Sequence, residues 1–438
     1  MKNEINFNEA MKLVSNFYNE HGQELYDDYM VLRDIQGRFR ILANVDVVPE
    51  HIYVEINKLS ENLFFYASKP FLQTKKDMFN PEKIFSPKEF VDYLGNESDK
   101  PFKLIDRTIT GSGWTHHNYE LDKQLLDTPK IAFFGLKGGV GRSTALTILA
   151  YKLAKKNKNV VLLDLDLESP GLSSLVLPED SKPKFGVVDW LLESNFTNDT
   201  AQLVDDMVGF SPLSTNTNGS ILVFPAMGRD RSSYMDKLSR IYSENKDATF
   251  NDKLIQLCEK IAEIHTPDII LIDSRSGLHD IAALSIVGLS DVTFLFGIDS
   301  EQSWQGYETL FDFWKSRPEV ARNIREKLKI VQSLLPETDQ VNKSRLFRQK
   351  SYDIFAKYLY DNIEPITDVV NSDFESYSFE ENDDVAPHNP IRIMWNNRFQ
   401  EFSPLLLAEE IVTEQYLDMC FGELIDWVNL SFDSIEES

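Results

Sequence analysis

The sequence predicts an α/β protein: a mainly parallel sheet flanked by helices, preceded by a small α+β unit and followed by a helical, acidic C-terminal extension. Three observations lead there. From about residue 130, short apolar runs of strand length alternate with helix-length segments, the pattern of parallel strands joined by crossover helices. A length of 438 residues with 42% apolar side chains can fill two or three cores, and 12% aromatic residues exclude a disordered chain. No repeat at a fixed period is visible, which argues against a solenoid or propeller.

Taken in order, residues 1–125 read as the small α+β unit. Helical apolar spacing covers 7–19, and strands over 29–34 and 38–45 flank Ile35-Gln36-Gly37. Ser86-Pro87-Lys88-Glu89 has the form of a capped helix start with proline at the first helical position. A polar stretch with Thr110-Gly111-Ser112-Gly113 leads to a linker over 122–129.

Residues 126–340 carry the alternation. Strands are predicted over 131–135, 160–164, 221–225, 268–273, 292–298 and 328–334. Helices are predicted over 143–156, 253–264, 280–289 and around 303–314. Trp304, Tyr307, Phe311 and Trp314 recur at three- and four-residue spacing, which marks a core stripe. Residues 341–438, with helices near 352–360 and 405–429, either complete this domain or extend from it.

Charge narrows the function classes. With 45 basic and 70 acidic residues the net charge is −25, so nucleic acid and anionic lipid are repelled at long range. The acid is densest from Asp373 onward, where 16 acidic residues face only Arg392 and Arg398. Two cysteines, Cys258 and Cys420, build neither a disulfide framework nor a cysteine-based metal site, and point to a reducing cytoplasmic setting. The opening MKNEINFNEA lacks the apolar core of a signal peptide, and the apolar stretch 281–298 is broken by Ser290-Asp291. Arg229, Arg231, Lys237 and Arg240 form the best basic cluster, read as a solvated helix face over 232–242 or, alternatively, a contact for a phosphate or an acidic partner. The seven histidines form no metal pattern.

The first strand of the alternation runs into Leu136-Lys137-Gly138-Gly139-Val140-Gly141-Arg142-Ser143-Thr144, and a helix follows. This suits a polyphosphate: glycines let backbone N–H groups close around the phosphates, the helix N-terminus adds partial positive charge, and a hydroxyl reaches a metal. The common GxxxxGK[ST] pattern fails twice, at Leu136 and at Arg142. Guanidinium is planar, always charged and bulkier than ammonium, so it places its charge differently. Downstream, Val160-Val161-Leu162-Leu163-Asp164-Leu165-Asp166 ends a strand in two aspartates, at the edge where open α/β sheets bind ligands. Asp268-Ile269-Ile270-Leu271-Ile272-Asp273 ends another in one and continues Ser274-Arg275-Ser276-Gly277-Leu278-His279-Asp280.

These segments resemble the deviant phosphate loop of the ParA/MinD class, whose usual form is KGGxGK[ST]. More narrowly they resemble its KGGVGR-motif variant branch, in which arginine is the expected residue. The resemblance implies a P-loop NTPase fold that uses ATP and Mg²⁺. It implies that Lys137 is the signature lysine, reaching across a nucleotide-sandwiched dimer, and that Gly138, Gly139, Val140, Gly141, Arg142, Ser143 and Thr144 complete the nucleotide loop. Ser143, Asp164 and Asp273 would serve the metal, Asp273 from its outer shell and Asp164 through a bound water. Asp166 would position or deprotonate the attacking water, so that Lys137, Arg142 and Asp166 form the catalytic set. Arg275 would answer the γ-phosphate or a partner subunit, or else pair with Asp280 or Glu168. His279 reads as a local hydrogen-bonding residue. The class flanks its adenine with residues after the strand at 328–334, where Gln332 and Ser333 stand.

The function this implies is an ATP-binding, slowly ATP-hydrolysing, dimerising switch that signals to a protein partner, in the setting of a bacterial defence or conflict system. The alternative is a nucleotide-binding scaffold that does not hydrolyse. MinD-like membrane cycling is not expected, because the chain ends in acid rather than a basic amphipathic helix. Nor is the nonspecific DNA binding of ParA proteins, given the net charge.

Overall fold

The computed structural model describes residues 5–96, 99–108, 111–115, 127–194, 196, 200–241, 249–361, 376–399, 403–405 and 414–436. They form two compact units, Met1–Asn118 with Leu310–Asn323, and Tyr119–Thr309 with Ile324–Ser438.

In the first unit the helix Phe7–Leu25 begins at a reciprocal cap. The Asn6 side chain accepts from the Glu9 amide at 3.0 Å, and the Glu9 carboxylate accepts from the Asn6 amide at 2.8 Å. Its Ala10, Val14, Tyr18 and Leu25 fall on one buried face, the spacing that the sequence carries. Five strands, β1 (Tyr29–Arg33), β2 (Phe39–Ala43), β3 (Ala67–Gln73), β4 (Val91–Tyr93) and β5 (Phe102–Asp106), form a mixed sheet in the order β3-β2-β1-β5-β4. Alternation sorts their side chains. Tyr29, Val31, Phe39 and Ile41 join the core under helices Phe7–Leu25 and Glu50–Leu63. Met30, Leu32, Leu42 and Ile105 meet Ile84, Phe85 and Phe90 on the other face.

That second face corrects one expectation. No helix starts at Ser86; the helix there is the single turn Pro81–Ile84, and a lone turn follows with the Glu89 amide on the Ser86 carbonyl at 3.0 Å. Local capping chemistry loses because Phe85 and Phe90 are drawn onto the sheet and Val91 then enters strand β4. The helix Glu50–Leu63 and strands β3, β4 and β5 had no expectation at all.

The second unit is built on an eight-stranded sheet. Its strands are β6 (Lys130–Gly135), β7 (Asn159–Asp164), β8 (Gly209–Phe210), β9 (Ser220–Phe224), β10 (Ile269–Asp273), β11 (Val292–Gly297), β12 (Leu328–Leu335) and β13 (Ile391–Met394). The order is β13-β12-β11-β6-β10-β7-β9-β8, parallel throughout except for β8. Every residue of β6 and β10 is buried, as central strands covered on both faces require. Ile131, Phe133, Val160 and Leu162 face a core shared with helix Arg142–Lys155, while Ala132, Val161 and Leu163 face one shared with helix Phe250–His265.

The segment after residue 340 contributes to this unit. Its helix Gln340–Tyr358 is longer than the expected 352–360, β13 pairs with β12, and helix Glu414–Glu436 inserts Leu417, Phe421, Leu424 and Val428 into the first core. Residues 406–413, the start of the expected last helix, lie outside the described residues, as do His116, His117 and Thr110. The expected helix 280–289 is α-helical over Asp280–Ala283 and winds as a π-helix over Leu284–Leu289. The helix expected over 232–242 shrinks to Tyr234–Leu238. Trp304, Tyr307, Phe311 and Trp314 are all buried, as a core stripe should be. Among the described residues no helix is long and apolar enough to cross a membrane.

Candidate functional site

The site lies at the C-terminal edge of the second unit's sheet. Strand β6 ends at Gly135 and the chain turns through Leu136–Gly141 into helix Arg142–Lys155. Gly139 and Gly141 make the turn possible, with φ of 75° and 81°, in the left-handed region where a side chain is strained. A Cβ on Gly139 would meet nothing within 4 Å, so the loop leaves open space above it. Lys137, Gly138 and Gly139 are exposed, Val140 is buried, and Ser143 and Thr144 are partly covered in the first helical turn.

Strand order decides the rest. β10 inserts between β6 and β7 in register, so Asp273 stands opposite Asp164 on one side and Phe133 on the other. Two aspartates 109 positions apart in sequence therefore end adjacent strands beneath the loop. The Ser143 hydroxyl donates to Asp273 Oδ2 at 2.5 Å, and the Asp166 amide donates to Asp164 Oδ1 at 3.1 Å. Asp164 Oδ2 and Asp273 Oδ1 are buried and have no hydrogen-bond partner among the described residues.

Burial, with the neighbouring Asp273 charge second, holds the Asp164 carboxyl well above the usual carboxylate range. Burial pushes Asp273 up to about 6, against the opposing pull of Arg142 and the Ser143 hydrogen bond. Asp166 is raised as well by burial, opposed by Arg142 and Arg275. Buried carboxylates side by side, each with one oxygen lacking a hydrogen-bond partner among the described residues, have the chemistry to accept a hard cation. Among the described residues no three His, Cys, Asp or Glu side chains form a protein-only metal cage. One hydroxyl and two carboxylates beside a phosphate loop are instead the donor set that suits Mg²⁺, which keeps waters and binds through phosphate oxygens.

Arg142 does not point into the open loop. It is buried, 7% exposed, and donates from Nη1 to the Ser274 carbonyl and from Nη2 to Ser276 Oγ, the latter at 2.7 Å. The same Nη2 lies 3.8 Å from Asp166 Oδ2. The guanidinium thus touches both acidic segments. Arg275 is ion-paired through its Nη1 with Glu168, one of the partners expected for it. His279 is local: its ring Nδ1 accepts from the Ile281 amide at 3.5 Å, and its Nε2 lies 3.8 Å from Glu168.

Gln332 and Ser333 are buried on β12, with Ser333 donating to the Gly297 carbonyl at 3.1 Å and Gln332 Oε1 lacking a hydrogen-bond partner among the described residues. Leu334, unremarked in the sequence, has φ of 53°, and its Cδ2 would lie 3.6 Å from a Cβ on Gly141. Ser274 and Ser276 also escaped notice as partners of Arg142; no sequence signal joins residues 132 and 134 positions apart. In the basic cluster Arg229, Arg231 and Arg240 are exposed, in keeping with a solvated surface, and its members pair with groups outside it. Arg231 meets Glu179 at 2.8 Å, Lys237 meets Asp189 at 2.6 Å, and Arg229 donates to the Lys182 carbonyl at 2.8 Å.

A parallel sheet whose first strand feeds a glycine loop and helix, with acidic strand ends beneath, defines a P-loop nucleotide-binding α/β protein. A family model described as the CobQ/CobB/MinD/ParA nucleotide binding domain matches residues 131–352, and the chain belongs to that family. No curated protein matches the sequence. Among solved structures, the chain is similar to a ParA family ATPase from Chlorobium tepidum TLS, at 16% identity over 68% of this chain and 98% of that one, with a TM-score of 0.43. It is also similar to a Cyanothece McdA variant in complex with ATP, at 13% identity over 70% and 97% of the two chains, with a TM-score of 0.42. A third is cobyrinic acid a,c-diamide synthase from Mycobacterium smegmatis with a bound ATP analogue and magnesium, at 18% identity over 55% and 86%, with a TM-score of 0.36.

Proposed function

We propose that this protein is an ATP-dependent dimerising switch that hydrolyses ATP slowly and signals to a protein partner. The observation that carries the reading is the pair of buried carboxylates, Asp164 and Asp273, in register under a glycine loop, with Ser143 hydrogen-bonded to one of them. Their unpartnered oxygens fit a cation that a nucleotide would bring.

In this reading the amides of Gly138 to Ser143 and the hydroxyl of Thr144 cradle the phosphates. Ser143, Asp164 and Asp273 hold Mg²⁺, which neutralises phosphate charge when bound. Asp166, at the mouth of the site, orients the attacking water and takes its proton. Lys137 is exposed and carries no hydrogen bond or ion pair among the described residues, so its ammonium is free to reach the phosphates held by a second copy of the chain. Residues 126–340 act as the ATPase core, with 1–125 as a further small unit and 341–438 as an acidic extension that adds β13 to the sheet and the last helix to the core. The partner is a protein, in the cytoplasm, and a bacterial defence or conflict system is the setting the sequence resemblance suggests. A second reading, a nucleotide-holding scaffold without turnover, draws on Arg142, whose guanidinium is engaged by Ser274 and Ser276 rather than set over the loop.

The test is light scattering on the wild type and Lys137→Ala, each without nucleotide, with Mg-ATP and with Mg-ADP, with phosphate release followed in the same samples. A dimer formed only with ATP, lost in the variant and decaying with slow phosphate release, is the expected result. Tight ATP binding with unchanged mass and no phosphate would favour the scaffold.

A further inference from the structure

Arg142 stands where the common phosphate loop has lysine, and its guanidinium is spent on the opposite wall of the site. One nitrogen donates to the Ser274 carbonyl, another to Ser276 Oγ at 2.7 Å, and Asp166 lies 3.8 Å away. A lysine ammonium is a point charge on a flexible stem, whereas the planar fork spans a carbonyl, a hydroxyl and a carboxylate together. The segment it grips, 274–280, is also tied by the Ser274 amide, which donates to the Phe133 carbonyl at 3.2 Å, and by His279, which lies 3.8 Å from Glu168. The Gly277 amide donates to the Gly135 carbonyl at 3.0 Å, and Arg275 is paired with Glu168. Gly277 has φ of 84°, a Cβ on it would meet nothing within 4 Å, and Leu278 is exposed.

We propose that Arg142 is a latch, with Ser276 as its positioning residue: without nucleotide the guanidinium holds segment 274–280 against the phosphate loop, and a bound polyphosphate draws it away and loosens that segment. The inference rests on the nucleotide reading given above. Its physical basis is competition. The guanidinium has five donors in a fixed plane, and a phosphate oxygen is a stronger acceptor for them than a carbonyl or a hydroxyl. Turning the fork toward the loop breaks the bonds to Ser274 and Ser276. Segment 274–280 then keeps its backbone bonds to Phe133 and Gly135 and its contacts with Glu168, but loses its side-chain tie to the phosphate-loop helix, and occupancy is reported on a surface that carries Leu278.

The latch predicts an unusual sign. Removing the Ser276 hydroxyl removes a competitor of the phosphate, so it should tighten nucleotide binding while loosening the empty protein. A merely structural serine would weaken binding or leave it unchanged. The experiment measures amide exchange of peptides covering 274–280 and the affinity for a fluorescent ADP analogue, in wild type, Ser276→Ala, Ser276→Thr, Arg142→Lys and the double variant Arg142→Lys/Ser276→Ala. In wild type the analogue should speed exchange of the segment roughly tenfold, the scale of one hydrogen bond to a charged donor. Ser276→Ala should show that faster exchange already without nucleotide and bind the analogue several-fold more tightly. Ser276→Thr, which keeps a hydroxyl, should behave as wild type. The double variant should exchange no faster than Arg142→Lys alone, since each change breaks the same bond. Binding by wild type with unchanged exchange, or Ser276→Ala with unchanged or weaker affinity, overturns the latch and leaves the nucleotide reading intact. Failure of wild type to bind the analogue overturns both.

Discussion

Replacing Asp273 by asparagine should stabilise the metal-free protein while disabling the site. In chelator, the folded chain keeps a carboxylate fully buried at the end of β10, with Oδ1 unpartnered among the described residues and Asp164 beside it in register. The folded-state value rises from 3.8 to about 6, chiefly through burial. That difference corresponds to about 3 kcal/mol carried against the ionised form. The sign follows from proton counts. Between pH 4 and 6 the folded state binds more protons than the unfolded one, so stability falls as pH rises through this window and levels off above it. The penalty is absent below the unfolded value and complete above the folded one. Asparagine keeps an acceptor for the Ser143 hydroxyl and removes the charge, so at pH 7.5 in chelator the variant should melt on the order of 5 °C higher. The gap should close as the pH is taken toward 4, and Mg-nucleotide should stabilise the wild type but not the variant. Calorimetry across pH 4–8 decides it. Equal or lower melting of Asp273→Asn at pH 7.5 in chelator, or a gap that does not shrink with acid, would refute the argument from buried charge.

Other expectations are simpler. Asp166→Asn should keep nucleotide affinity within about threefold and slow phosphate release by about 100-fold or more, because the proton acceptor is lost while the loop is untouched; single-turnover phosphate release separates the two. Leu424→Ala should destabilise the second unit by about 2–5 kcal/mol, since Leu424 is fully buried in the core shared with helix Arg142–Lys155. Denaturant unfolding measures it, and a loss under about 1 kcal/mol would mean that the C-terminal helix contributes little to that core.

Much of the second unit was legible because its strands are short runs of buried aliphatic residues whose edges are set by charge or glycine. Val160 to Leu163, a short run rich in β-branched residues, reads as a covered strand with Asp164 at its end, and the same reasoning placed Asp273. The phosphate loop was legible for a different reason: glycines followed by a helix is a local device, complete within nine residues. The first unit was less so. Strand β5 pairs in parallel with β1 across 73 positions, and β3 carries a proline and no clean alternation, so neither announces itself locally. The failed helix at Ser86 belongs here too. Its cap is a few tenths to about 2 kcal/mol of local preference, set against burying Phe85 and Phe90 on a sheet face.

The sequence by itself determined the fold class, the phosphate loop, and the two aspartates that end strands β7 and β10. Hydrophobic periodicity and glycine are properties of a chain segment and survive without knowledge of its neighbours. Only the tertiary structure decided that β10 lies between β6 and β7, which sets Asp273 opposite Asp164. It alone turned Arg142 across the site to Ser274 and Ser276, and brought Arg275 to Glu168. Strand order and the partner of a buried charge are settled by contacts between residues over 100 positions apart, and no local pattern encodes which of several acceptors a guanidinium will meet when the layers close.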